Sequence, residues 1–374
     1  MMMQETRKTR GHSPDYFFIS LVFILVLIGL IMLSSASSEI GKIKFNDTYY
    51  YIKHQVYFGL SIGILGFLFA AYYHYKNLKR LAVPLLVISS VLLVLVFTPL
   101  GFSYAGAKRW LDAGLFFIQP AELLKLTFII YIAAWLSSSV NKTERRESLT
   151  RGFLPLLLLS GIVGFLIIIQ PSTTTAVIIM GSALTMYFAS GARLRYLAGL
   201  LLFALLALGI VTASTPYRAE RIITFFNPQR NIQSSAYHIN QSLIAIGSGG
   251  LFGTGYGKST SKVNFLPEPI GDSIFAVIAE EMGFLGAGVV IFLFLILVLR
   301  GISIAWRTKN EFARLTVIGL TSVVAIQAFI NIAAISGVVP LTGVTLPFIS
   351  YGGTSLAVFL TMMGVVVNIS RYTT

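Results

Sequence analysis

Asp272 stands in Gly271-Asp272-Ser273-Ile274-Phe275-Ala276, where a polar stretch gives way to a long apolar run. A carboxylate at the mouth of such a run can work as a general base, because desolvation raises its pKa toward neutrality. It can equally cap the helix that follows, since Asp accepts backbone N–H bonds at helix starts. The two readings pull the pKa in opposite directions. Glu280 and Glu281 follow about two turns deeper. Acids inside an apolar span are candidates for function or for pairing with a base. A second group is Lys108-Arg109-Trp110-Leu111 followed by Gln119-Pro120-Ala121-Glu122-Leu123-Leu124-Lys125. The Arg109 guanidinium can clamp phosphate oxygens in bidentate fashion, or snorkel to lipid headgroups. Glu122 and Lys125, three apart, can share a helix face as an ion pair. The third group, Leu346-Pro347-Phe348-Ile349-Ser350-Tyr351-Gly352-Gly353, joins Ser350 to Gly352 and Gly353 at the end of a span. Small residues there permit close backbone approach and local unwinding, or ordinary helix packing.

Composition narrows the chemistry. The chain has no cysteine, which removes thiolate, disulfide and Cys-metal chemistry, and its four His (His12, His54, His74, His238) show no metal-ligand spacing. No Walker motif is present. A reaction here needs a substrate that carries its own leaving group.

The elements that position these residues are membrane helices. Hydrophobic residues make up 56% of the chain and charged residues 11%, against about 25% charged in soluble domains. Runs of about 20 apolar residues span a bilayer. Ten such spans are expected, near 16–36, 55–73, 81–99, 122–139, 153–170, 173–190, 196–213, 273–299, 313–337 and 347–369. The first is too long for a signal-peptide core and reads as an uncleaved helix. The net charge of +14 does not point to nucleic acid in such a chain. Lys and Arg collect in alternate short loops, around 76–80, 142–151, 193–195 and 300–314, which the positive-inside rule makes cytoplasmic. Both termini then lie in the cytoplasm. The expected layout is an all-α polytopic membrane protein: a tail over 1–15, one ten-helix domain over 16–369, and a tail over 370–374.

Residues 214–272 break the pattern as a long extracytoplasmic loop between the seventh and eighth helices. Tyr217 to Phe226 and Asn231 to Ile246 can each form a surface helix; glycines at 247, 249, 250, 253, 255 and 257 follow. Those glycines suit turns or close approach to a diphosphate. Arg218, Arg221, Arg230, Lys258 and Lys262 make this outer loop basic against the charge rule, which asks for an anionic ligand or lipid.

Five strings occur in order: Arg109-Trp110-Leu111; Gln119-Pro120-x-Glu122-Leu123-x-Lys125; Gln241-Ser242-x-x-Ala245-Ile246-Gly247-Ser248-Gly249-Gly250; Leu266-Pro267-Glu268-x-x-x-Asp272-x-Ile274-Phe275-Ala276; and Thr345-Leu346-Pro347-Phe348-x-Ser350-Tyr351-Gly352-Gly353. Together they resemble the SEDS family (shape, elongation, division and sporulation), the FtsW/RodA group, over essentially the whole chain. The resemblance implies a peptidoglycan glycosyltransferase that polymerises lipid II, a disaccharide-pentapeptide on undecaprenyl diphosphate, at the outer face of the bacterial cytoplasmic membrane. Such a donor brings its own leaving group, a lipid tail and a diphosphate. Carried over, Asp272 matches the family's essential acid and takes the proton from the acceptor's sugar hydroxyl. Arg109 and Lys125 meet diphosphate charge, with Glu122 orienting Lys125; Arg218, Arg221, Lys258 and Lys262 are further candidates. The resemblance also leaves room for a divalent cation, Mg2+ or Mn2+, at the diphosphate, although no ligand set is evident. It implies a class B penicillin-binding protein as partner.

Two strings depart from the family pattern. An acid usually follows Gln-Pro in the fifth-to-sixth hairpin, where this chain has Gln170-Pro171-Ser172-Thr173; and Asp272 lies in Ile270-Gly271-Asp272-Ser273-Ile274 rather than the commoner Thr-Asp-Phe-Ile. Competing readings are a lipid II flippase and a scaffold for a cell-wall synthase. A flippase needs polar groups through the full membrane depth, whereas those here cluster at the outer side. The glycine-rich string leans toward the division type over the elongation type.

Overall fold

The computed structural model describes residues 12–104, 107–112, 114, 117–138, 148–227 and 235–373. Arg230 and the basic segment 139–147 lie outside them. The chain opens with α1 (Tyr16–Phe45), whose first turn is capped by Asp15 accepting from the Phe18 amide at 2.9 Å. α2 (Tyr50–Tyr72) contains a π-helical turn over Gln55–Leu60, and α3 spans Tyr75–Leu95. A small antiparallel sheet follows, in the order β1 (Gly101–Tyr104), β2 (Ala107–Asp112), β3 (Phe117–Ile118). Then come α4 (Pro120–Leu136), α5 (Leu149–Ile169), α6 (Thr173–Ala189) and α7 (Leu194–Ala213). The outer segment carries α8 (Pro216–Phe226), α9 (Ser235–Ser248) and the single turn α10 (Ser261–Asn264). α11 (Ile274–Arg307), α12 (Glu311–Ile335) and α13 (Gly353–Ser370) complete the bundle.

Among the described residues, α1, α2, α3, α5, α7, α11, α12 and α13 are long and apolar enough to cross a membrane. α4 and α6 have 17 residues each. That is about 26 Å of helix against a hydrocarbon core of about 30 Å. α4 and α12 supply much of the centre through Leu124, Phe128, Ile129, Leu315, Leu320 and Val323. α13 lies closely on α2: a methyl at Gly364 would collide with the Phe67 carbonyl, so only glycine permits that approach. α7 buries Leu200 alone and lies at the edge of the bundle.

The structure differs from the sequence expectation at three places. The fold is not purely helical, because Gly101–Tyr104, Ala107–Asp112 and Phe117–Ile118 pair as a sheet; these short extended segments lack the length and alternation that mark strands in sequence. The last helix starts at Gly353, not near 347. Pro347 has no amide to give, Phe348 is left-handed at φ 66°, and Ser350 Oγ accepts the Leu346 amide at 2.7 Å. Ser350 and Gly352 are therefore loop residues at the mouth of α13. Finally, α11 is interrupted at Gly283, with φ 68° and ψ −170°. The segment 250–255 fills the gap: Thr254 and Gly255 amides donate to the Glu280 and Glu281 carbonyls at 2.9 and 3.0 Å, and the Phe284 and Leu285 amides donate to the Gly250 and Leu251 carbonyls at 2.9 and 3.2 Å. Gly249 and Gly253 thus approach protein backbone: methyls there would collide with the Ala279 and Glu281 carbonyl oxygens.

The two ends of the described chain meet. The His12 amide donates to the Arg371 carbonyl at 2.9 Å, the Asp15 amide to Ser370 Oγ at 3.1 Å, and Arg300 pairs with Asp15 at 2.7 Å.

Candidate functional site around Asp272

The turn Leu266-Pro267-Glu268-Pro269-Ile270 folds back on itself, with Glu268 left-handed at φ 46° and its carbonyl accepting the Gly271 and Ser273 amides at 3.0 and 3.3 Å. This delivers Asp272 just ahead of α11. The helix cap is Ser273, and no side chain caps the first turn. The capping alternative therefore does not hold for Asp272. Its Oδ1 is buried without a hydrogen-bond partner. Burial, then the nearby Glu268 carboxylate, push the Asp272 pKa up to about 7; backbone N–H groups and Arg221 oppose that rise. A carboxyl in this setting is half ionised near neutrality, as a general base needs to be.

The backbone of Asp272 is held from α12. Asn331 Nδ2 donates to the Asp272 carbonyl at 2.8 Å and to the Val344 carbonyl at 2.6 Å. This ties Asp272 to the loop before α13, in which Gly343 (φ 66°) faces the carboxylate. A methyl at Gly343 would sit 3.6 Å from Asp272 Oδ2 and 3.9 Å from Arg221 Nη2. The acid and the guanidinium therefore flank one point.

Three arginines converge, and Arg221 among them lies beside the acid. Arg221 Nη1 donates to the Leu341 carbonyl at 3.2 Å, and its guanidinium lies 4.6 Å from the Tyr217 ring and bonds the Tyr217 hydroxyl. Arg218 donates to the Ile168 carbonyl at 3.0 Å. Arg109 reaches from β2 to the α5–α6 hairpin, giving Nε to the Gln170 carbonyl at 3.0 Å and bonding the Pro171 carbonyl. Burial pushes the Arg109 pKa down, and the neighbouring Arg221 and Arg218 charges push it further, against Tyr217. Arginines stay protonated in proteins, so this crowding favours an anion. α8 brings Arg218 and Arg221 to one place because they are three apart on its surface. Ser172 bonds Thr175 Oγ1 at 2.8 Å at the start of α6, next to the Gln170 and Pro171 carbonyls that anchor Arg109.

The other candidates lie elsewhere. Glu122 and Lys125 form a buried ion pair at 2.8 Å, and Lys125 Nζ also donates to Gln327 Oε1 at 2.6 Å. Gln327 in turn donates to the Thr345 carbonyl at 3.0 Å, which links this pair to the loop before α13. Ser350 and Gly352 are locked to Gln55: its Oε1 accepts the Gly352 amide at 3.0 Å and its Nε2 donates to the Ser350 carbonyl at 3.5 Å. Gly353 packs against the backbone of Phe58 and Gly59, and the Tyr351 amide donates to the Ile270 carbonyl at 2.9 Å. This loop thus braces the turn that holds Asp272. Lys262 is paired with Glu281 at 2.7 Å and is not part of the arginine group; Lys258 is exposed on the glycine-rich segment. Among the described residues no three His, Asp or Glu side chains gather as metal ligands. The donors around Asp272, arginines with the Glu268 carboxylate nearby, do not fit a resident divalent cation.

Sequence reasoning missed Asn331, Gly343, Tyr217 and His238. His238 Nε2 lies 2.6 Å from Ser273 Oγ. Nothing in the spacing marks Asn331, Gly343 or His238, which reach Asp272 or its neighbour Ser273 from distant parts of the chain; Tyr217 stands four residues before Arg221 on α8, a helical spacing that could have paired them.

The chain matches the FtsW/RodA/SpoVE family, described as cell cycle proteins, over residues 15–374. It is 40% identical to stage V sporulation protein E of Bacillus subtilis (strain 168), covering 97% of this chain and 99% of that protein. It is 35% identical to the probable peptidoglycan glycosyltransferase FtsW of Geobacter sp. (strain M18), covering 97% and 98%. Its fold superimposes on a chain of a peptidoglycan synthase complex that coordinates polymerization and crosslinking, with a TM-score of 0.78 and 27% identity over 96% of this chain and 98% of that one. A half-buried acid with an unpartnered oxygen at the mouth of α11, three converging arginines and an all-but-complete match of sequence and fold have one reading: the chain belongs to the FtsW/RodA/SpoVE family of cell cycle proteins.

Proposed function

We infer that this protein is a multi-pass peptidoglycan glycosyltransferase of the bacterial cytoplasmic membrane that polymerises lipid II at the outer face. In this reading Asp272 takes the proton from the acceptor's sugar hydroxyl. The hydroxyl oxygen bonds to the donor's anomeric carbon as the bond from that carbon to the lipid diphosphate breaks. The leaving diphosphate carries away the electron pair, the proton remains on Asp272, and attack opposite the leaving group inverts the anomeric centre. Arg109, Arg218 and Arg221 meet the charge that develops on the diphosphate. Lys125, with Glu122, acts from the bundle interior through Gln327 and the loop before α13. Ser350, Gly352 and Gly353 shape the mouth of the site.

The observation that carries this reading is the half-buried Asp272 carboxyl, whose Oδ1 is buried without a partner and whose pKa is about 7. The test is polymerisation of purified lipid II by wild type and Asp272→Asn. Loss of product with an intact fold supports the mechanism; polymer at the wild-type rate removes Asp272 from it.

For topology, all ten long helices cross, α4 and α6 included, with both termini cytoplasmic and 214–272 outside. The domain spans 16–369 between short tails. The bond between the two chain ends supports an even number of crossings. The partner is a class B penicillin-binding protein, a reading supported by the resemblance to a chain of a synthase complex; co-purification tests it. The description of the matching family as cell cycle proteins favours a division role over elongation.

A further inference from the structure

We propose that His238 is a positioning residue for Asp272, acting through Ser273. The proposal rests on Asp272 being the base. A carboxylate with one oxygen free has little of its own to fix its direction, so its aim depends on the backbone at either side. On one side Asn331 holds the Asp272 carbonyl. On the other, Ser273 is fully buried and its hydroxyl donates to the Pro267 carbonyl at 2.8 Å. With that proton committed, Ser273 Oγ can only accept from His238 Nε2–H, 2.6 Å away. α9, which carries His238, thereby grips the start of α11 at the residue next to the acid.

The ring must do this uncharged. Burial and the neighbouring Arg221 push the His238 pKa down to about 4. At neutral pH it is therefore a neutral Nε2–H donor. It adds no cation beside Asp272 that would pull the acid's pKa down and weaken it as a base. A second arginine or lysine could hold Ser273 but would carry that electrostatic cost.

The experiment measures kcat and KM for lipid II polymerisation by the full chain with its transpeptidase partner, using His238→Phe, His238→Gln, Ser273→Ala, the His238→Phe/Ser273→Ala double variant and Asp272→Asn. A misaimed base lowers the rate of the chemical step and leaves substrate affinity alone. His238→Phe and Ser273→Ala are each expected to lower kcat by about tenfold or more, with KM changed less than about twofold. The double variant should be no worse than either single, because both break one link. His238→Gln, whose amide N–H can reach the same oxygen, should return to within about threefold of wild type. Thermal unfolding of each variant reports folding; should His238→Phe not fold, Ser273→Ala carries the test. Wild-type kcat in Ser273→Ala or folded His238→Phe, beside an inactive Asp272→Asn, overturns the positioning role and leaves the base in place. Equal losses in His238→Phe and His238→Gln overturn it as well, since shape rather than the N–H would then matter. An active Asp272→Asn removes the base itself.

Discussion

Two groups of acids sit at the outer half of α11 and have opposite surroundings. Glu280 and Glu281 lie inside the helix and are saturated with donors. Glu281 receives Ser35 Oγ at 2.6 Å, the Gly257 amide at 3.1 Å and Lys262 Nζ at 2.7 Å. Glu280 receives Ser259 Oγ at 2.6 Å and the Thr260 amide at 3.0 Å. Asp272, at the helix mouth, is half-buried, and its buried Oδ1 has no partner. A buried charge that is fully bonded is there to hold structure, because its lone pairs are spent. A buried acid left short of donors is costly to ionise, and a fold keeps such a group where chemistry uses it. Depth in the membrane does not separate the two cases; donor supply does.

The sharpest way to break this contrast is to neutralise each acid in turn. Asp272→Asn should lower polymerisation by about 10²–10⁴-fold, the range for losing a general base, with the fold intact by thermal unfolding. Glu281→Ala should do the reverse. It strands the Lys262 charge in the interior, which typically costs about 3–5 kcal/mol, and unfolding in detergent would show it. Replacing both partners, Glu281→Gln with Lys262→Met, should recover most of that loss. Arg109→Ala should raise KM for lipid II by about tenfold or more, the worth of a charged hydrogen bond, with a smaller change in kcat. The subtlest test is the pH dependence. Asp272 has a folded pKa near 7, raised above the ordinary carboxylate value of 3.8. Its contribution to stability is then fully present below about pH 4 and is lost as pH rises toward 7, while activity climbs over the upper part of that window. Asp272→Asn should flatten the stability profile there, unfolding at higher temperature than wild type at pH 8.

Much of this was legible in sequence for a simple reason. Apolar runs must become helices in hydrocarbon, so Tyr16, Thr173 and Ala213 fall where the hydropathy places helix ends. Asp272 could be singled out by its place at the start of such a run, but whether it capped the helix depended on Ser273 lying one residue further on. The role of the glycines could not be read. Gly253 and Gly283 are thirty residues apart in the chain, and the break in α11 exists only because the two backbones meet. Lys262 looked available to an anion because its partner lies 19 residues away on another element. His238 gave no signal: a lone imidazole acquires meaning only from the hydroxyl it faces.

The clasp between the two chain ends has a consequence for how the molecule can be cut. With the His12 amide bonded to the Arg371 carbonyl, the polypeptide is a loop closed by everything except a covalent link. A few linker residues joining 373 to 12 would complete it. New ends could then be opened between the exposed Lys309 and Asn310, producing a permuted enzyme whose helices insert in a different order yet reach the same bundle.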